Sequence, residues 1–202
     1  VIANAILTEQ GILSGGLPLL PIQQWFFEND LAEPEHWNQS FLIKVESLLD
    51  INRLQHAFKA LINQHDAFRL RYRVESDEQH DVNKQDNNDE SDTLEYSLQY
   101  YDASSIKDSS NEDYTLKILD VSTLSSLEEL NDVLTSWQSN FNLERGPLHA
   151  VGYLYGYEDG SSRIFFALHH LTVDAVSWRI LTEDLKSLYY SIEENEDSNK
   201  LL

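Results

Sequence analysis

Two nearly continuous apolar runs, PLHAVGYLYGY and SRIFFALHH, stand back to back with the turn signal Glu158-Asp159-Gly160 between them. Runs of this length and composition read as two neighbouring buried strands joined by a tight turn. The following residues, VSWRILTEDLKSLYYSIEE, bring Val176, Ile180, Leu181, Leu185, Leu188 and Ile192 round at helical spacing. A buried strand that hands over to an amphipathic helix needs a sheet with a helix packed on it. The rest of the chain alternates in the same way. WNQSFLIKVE, with Phe41, Ile43 and Val45 alternating, reads as a strand, as do FRLRYRVE, TLEYSLQYYD and TLKILDVS. IQQWFFENDL, with Pro21 in its first turn, reads as a helix. So do the stripe Ile51, Leu54, Phe58, Leu61 and Ile62 behind the cap Asp50, and SLEELNDVLTSWQSNF. The expected class is a two-layer α/β fold, a central mixed sheet flanked by helices.

Charge and composition exclude several functions. The chain has 202 residues, a one-domain length, and 35 acidic against 14 basic residues, a formal charge of −21. Binding a nucleic-acid backbone or an anionic lipid surface needs clustered Lys and Arg, the opposite balance. No apolar run reaches the ~20 residues of a membrane span, and no basic-then-apolar leader opens the chain. Cysteine is absent, which removes disulfides and thiolate metal sites. A cytoplasmic protein is expected. The chain opens on Val1 and has no methionine, so an excised part of a longer protein is expected. Residues 75–95, ESDEQHDVNKQDNNDESDTLE, hold nine acidic residues and one lysine. Val82 and Leu94 are nearly their only large apolar side chains, so the stretch is expected to be a mobile, solvated insertion. It lacks the glycine and ligand spacing of a calcium loop. The expected organisation is an N-terminal segment 1–15, a lobe 16–192 carrying the insertion, and an acidic tail or linker 193–202.

The stretch most able to carry chemistry is HHLTVDAVSWRIL, residues 169–181, at the end of the last strand. Along that strand Ile164, Phe166, Leu168 and His170 share one face, and Phe165, Ala167 and His169 the other. The two rings therefore point apart, cannot hold one metal together, and are expected to divide into one packed residue and one that reaches a pocket. A histidine titrates near working pH and is a suitable general base. Asp174 immediately precedes the helix. It can cap that helix or pair as a buried carboxylate with an arginine, for which Arg69 and Arg179 are candidates, and the two roles are compatible. No nucleophile elbow accompanies Ser177, and there is no glycine-rich phosphate loop.

HHLTVDAVSWRIL resembles the HHxxxDG region of nonribosomal peptide synthetase condensation-type domains, in the form that the epimerization subtype carries. LPLLPIQQWFFEND followed by HWNQS is similar to the opening of such a domain. INQHDAFRLRYR resembles the second family motif, and FNLERGPLHAVGYL the segment leading into the active-site strands. The resemblance spans about residues 16–192. It implies the N-terminal one of two chloramphenicol-acetyltransferase-like lobes, with the active site in a tunnel between them. It further implies that His170 is the catalytic base and that His169 is packed. Asp174 would be structural and paired with Arg69, while Ser177 and Trp178 face the tunnel. The implied substrate is an aminoacyl or peptidyl thioester on the phosphopantetheine arm of a peptidyl carrier protein. No cofactor or metal is held by the lobe itself. The implied partners are that carrier, the C-terminal lobe and neighbouring synthetase modules.

Epimerization takes the α-proton beside a thioester carbonyl and returns one to the opposite face. A single base serves one face, and the resemblance assigns the second donor, a glutamate, to the C-terminal lobe. This lobe alone is therefore expected to fold without epimerizing. A condensation domain forming a peptide bond between two carrier-bound substrates would use the same His170. A non-catalytic lobe that only docks a carrier is the third possibility. Ala175 stands where the family motif has glycine, which is harmless if that residue already belongs to the helix.

Overall fold

The computed structural model describes residues 13, 15–29, 31–75, 95–100 and 114–200. Residues 1–12 of the N-terminal segment and 76–94 of the acidic insertion lie outside the described residues. The elements run β1 (Gly15–Leu17), α1 (Pro21–Glu28), β2 (Asn38–Val45), α2 (Ile51–Gln64), β3 (Leu70–Glu75), β4 (Glu95–Tyr100), β5 (Lys117–Asp120), α3 (Leu127–Gln138), β6 (His149–Tyr155), β7 (Ser162–His169) and α4 (Ala175–Lys200).

The main sheet has the order β2-β7-β6-β5. Its strands pair antiparallel except β5, which runs parallel to β6, so the sheet is mixed. A second, smaller antiparallel sheet, β1-β4-β3, accompanies it. The sequence pattern does not anticipate β1, because GGL is too short to show alternation.

The apolar runs of β6 and β7 are continuous because both faces of the sheet are covered. On one face Val151, Tyr153, Ile164, Phe166 and Leu168 pack with Leu54, Phe58 and Leu61 of α2 and with Leu181 and Leu185 of α4. On the other, Ala150, Phe165 and Ala167 pack with Phe26 of α1, Leu134 of α3 and Leu148. Alternation along β7 thus feeds two cores, one on each side. Gly152 of β6 lets α3 approach closely. A Cβ there would lie 2.1 Å from Trp137 Cζ3, far inside van der Waals contact.

Local signals set the helix starts. Asp50 accepts from the Arg53 N–H at 2.7 Å, and Ser126 accepts from Glu129 N–H at 3.2 Å. At its far end α4 runs through Glu193–Asp197 to Lys200. The expected tail or linker is therefore helical for most of its length, as suits Glu, a good helix former. Among the described residues no helix is long and apolar enough to cross a membrane.

Candidate active site

β7 ends at His169, and residues 170–174 turn the chain into α4. The turn is pinned from several sides. Thr172 donates its N–H and its hydroxyl to the His169 carbonyl, at 2.9 and 2.8 Å. The Tyr72 hydroxyl of β3 donates to the Leu171 carbonyl at 3.1 Å, and is itself held by Gln23 of α1.

His169 is fully buried. Its Nε2–H donates to the Pro34 carbonyl at 2.7 Å, and Nδ1 accepts from the Leu171 N–H at 3.2 Å. The edge of Phe26 meets its ring at 5.6 Å. Both nitrogens are spent, in the neutral Nε2–H form. Burial pushes the imidazole below its ordinary value of 6.5; the Pro34 carbonyl opposes this and the neighbouring His170 adds to it. The folded chain then refuses a proton that the unfolded chain accepts as pH falls through 6.5, so stability rises with pH in that range and is lost below it. The expected result is a urea midpoint that declines from about pH 7.5 to about pH 5, with a shallower decline in His169→Gln. Equal slopes in the two proteins would contradict this reading of the ring.

His170 is half-buried. Its backbone N–H donates to the Trp37 carbonyl at 2.9 Å, and its ring stacks on the Trp37 indole at 4.6 Å between centroids. Nε2 lies 3.0 Å from Nε2 of Gln39. On its other side Gln39 Oε1 accepts from the Trp178 indole N–H at 2.9 Å. The sheet register explains the meeting. Gln39 of β2 pairs with Leu168 of β7, so it shares a face with Leu168 and, two residues on, His170. Trp178 comes over that face from the first turn of α4, its ring edge-on to Phe41 at 4.5 Å.

The carboxylate–guanidinium clamp between Asp174 and Arg69 is not formed. Asp174 is exposed and caps α4: its Oδ1 accepts from Val176 N–H at 3.1 Å, Ser177 N–H at 2.7 Å and the Ser177 hydroxyl at 2.6 Å. Those bonds, the Ser177 hydroxyl first, hold its carboxyl below the usual carboxylate range. Arg69 is fully buried, pairs with Asp66, and donates to the Ile62 carbonyl at 3.0 Å. The reason is local. Free N–H groups at the start of α4 attract the nearest carboxylate, and free carbonyls at the end of α2 attract the nearest guanidinium. Each charge is taken by its own helix end. Arg179, the other candidate, is exposed on α4. Ser177 and Trp178 commit their polar atoms within the lobe, to Asp174 and to Gln39. Ala175 is the first residue of α4, where alanine is favoured over glycine.

Trp37 and Gln39 are not anticipated as site residues. A signal for Gln39 exists in the alternation itself. Val45, Ile43 and Phe41 face inward along β2, and the next inward position is a glutamine, a polar residue where the pattern calls for an apolar one.

The chain is similar to several known proteins. The sequence model of the family described as "Condensation domain" matches residues 14–201. The N-(5-amino-5-carboxypentanoyl)-L-cysteinyl-D-valine synthase of Penicillium rubens is 37% identical over 185 residues, covering 90% of this chain and 4% of that protein. Tyrocidine synthase 2 of Brevibacillus parabrevis is 34% identical over 189 residues, 94% of this chain and 5% of that one. The chain thus spans a small part of the curated relatives it matches. Among solved structures, the epimerization domain from the third module of tyrocidine synthetase B superposes with a TM-score of 0.72 at 28% identity. That match covers 93% of this chain and 36% of that one. The starter condensation domain of rhizomide synthetase, at 13% identity and a TM-score of 0.67, shares the fold. A mixed sheet flanked by helices, a tandem histidine where its last strand meets the final helix, and a family match over nearly the whole length lead to one conclusion: the chain belongs to the condensation-domain family of nonribosomal peptide synthetases.

Proposed function

We propose that this chain is the N-terminal lobe of an epimerization domain. It would invert the α-carbon of an aminoacyl or peptidyl thioester carried on the phosphopantetheine arm of a peptidyl carrier protein. The observation that carries the reading is the contrast between the two histidines. His169 has both nitrogens spent inside the core, whereas His170 is only half-buried and has an Nε2 that faces the side-chain amide of Gln39. His170 Nε2 takes the α-proton, the C–H electron pair moves into the thioester to give an enolate, and a proton then returns to the opposite face. One imidazole reaches one face, so the returning donor belongs to the second lobe, which with the carrier protein and neighbouring modules completes the machinery. Asp174 serves by capping α4, Arg69 by holding the end of α2, and His169 by anchoring the turn itself. Ser177 and Trp178 lie at the start of α4 beside His170 and would border the tunnel.

The epimerization subtype is favoured over peptide-bond formation by the match to a solved epimerization domain at 28% identity, against 13% for a starter condensation domain. The test uses the full-length protein and a carrier loaded with an L-aminoacyl group, with and without a second carrier as acceptor. The expected result is a mixture of D and L residues that forms without acceptor. A peptide formed with the acceptor and no D residue would establish the condensation reading. Neither product, with the loaded carrier bound, would leave a docking lobe.

A further inference from the structure

Gln39 lies between two groups whose hydrogen-bonding capacities are fixed by their chemistry. The Trp178 indole N–H can only donate, so the atom of Gln39 that faces it at 2.9 Å must be the amide oxygen. That sets the orientation of the side chain and turns its NH2 group toward His170. An amide N–H can only donate as well, so His170 Nε2, 3.0 Å away, must accept. A neutral imidazole carries one N–H, which is then on Nδ1. Neither end of this chain of bonds is free to move. The Trp178 ring is wedged against Phe41, and the His170 ring is stacked on Trp37 at an interplanar angle of 26°.

From this geometry we infer that Gln39, oriented by Trp178, is a positioning residue that holds His170 in the neutral Nδ1–H tautomer, its amide N–H occupying the Nε2 lone pair and keeping that nitrogen unprotonated. The inference deepens the proposed function and rests on His170 being its base. Nε2 can take a proton from a substrate carbon only once the Gln39 amide has turned aside, and an amide that turns back then meets the new N–H. The imidazolium is then opposed by two donors meeting at hydrogen-bond distance, and the amide must swing away or the proton must leave. Gln39 therefore keeps the base empty between turnovers and favours passing the proton on. No atom of Gln39 reacts; its effect is exerted through the ring of His170.

The test reads the ring nitrogens of His170 by NMR in the uniformly 15N-labelled 202-residue chain. The wild type is expected to show a protonated Nδ1 and an unprotonated Nε2. Gln39→Glu keeps the length of the side chain but makes both its oxygens acceptors, for Trp178 and for His170, and is expected to move the proton to Nε2. Trp178→Phe keeps a ring against Phe41 while releasing the amide, and is expected to give a mixture of tautomers. The amide spectrum of each variant checks that the fold is retained; a merely structural role for Gln39 would leave the tautomer in place. In the full-length protein, Gln39→Glu is expected to slow α-proton exchange at neutral pH by about 100-fold, the lower range of what a positioned general base contributes. A protonated Nε2 in the wild type, or ring signals that Gln39→Glu leaves in place, would overturn the inference. If the tautomer moves as expected while the exchange rate does not change, the positioning stands and the reading of His170 as base fails.

Discussion

In the full-length protein, His170→Ala is expected to lower the rate of α-proton exchange by about 10²–10⁴-fold, the range that a positioned general base supplies. The loss is expected in kcat, with KM little changed, because the imidazole acts on the proton in flight and contributes little to holding the thioester. Stability is expected to change modestly, since the ring is half-buried and Trp37 keeps its stacking with Phe26 at 4.9 Å. His169→Ala makes the informative contrast. It strands the Pro34 carbonyl and the Leu171 N–H inside the core, so it should act on folding first and on rate only through the fraction folded. Thermal melting and steady-state kinetics on both variants separate the two effects. A His170→Ala protein that exchanges at the wild-type rate removes the base from the account.

The largest expected effect on stability belongs to Arg69→Ala, at about 3 kcal/mol, in the range for emptying a large, fully buried side chain and stranding its hydrogen-bond partners. The guanidinium is fully buried, and its loss leaves Asp66 and the Ile62 carbonyl at the end of α2 without it. A double-mutant cycle identifies the partner. Arg69 and Asp66 should couple by about 1 kcal/mol or more, whereas Arg69 and Asp174 should add independently. Chemical denaturation of the single and double variants reads both cycles. Strong coupling between Arg69 and Asp174 would restore the clamp that the structure replaces with two separate helix-end contacts.

What can be read from the sequence, and what cannot, divides along the range of the forces involved. The 3.6-residue stripe on α2, with Leu54, Phe58 and Leu61, and the unbroken apolar runs of β6 and β7 are local patterns, and the elements lie where those patterns predict. Alternation along β7 separates His169 from His170, because side-chain direction in a strand follows from parity alone. Asp174 as the cap of α4 is legible for the same reason: the group it serves is within three residues. The partner of Arg69 is not legible. Asp66 and Asp174 are both available carboxylates, and the choice depends on where the ends of α2 and α4 come to lie. Gln39 and Trp178 meet across 139 residues, a contact that exists only once β2 pairs with β7 and α4 folds over them. Of the smaller sheet, β3 and β4 lie in expected strands and only β1 is hidden, because it has three residues, two of them glycine, and no side-chain pattern to recognise.

The most direct test of the central claim is mass spectrometry of an L-aminoacyl thioester on its carrier protein, incubated in D2O with the full-length protein and no acceptor. If His170 removes the α-proton, the released residue gains one deuterium at its α-carbon, in step with the appearance of the D form, and His170→Ala abolishes the gain. Inversion without deuterium, or deuterium that still enters at the wild-type rate in His170→Ala, would contradict the account.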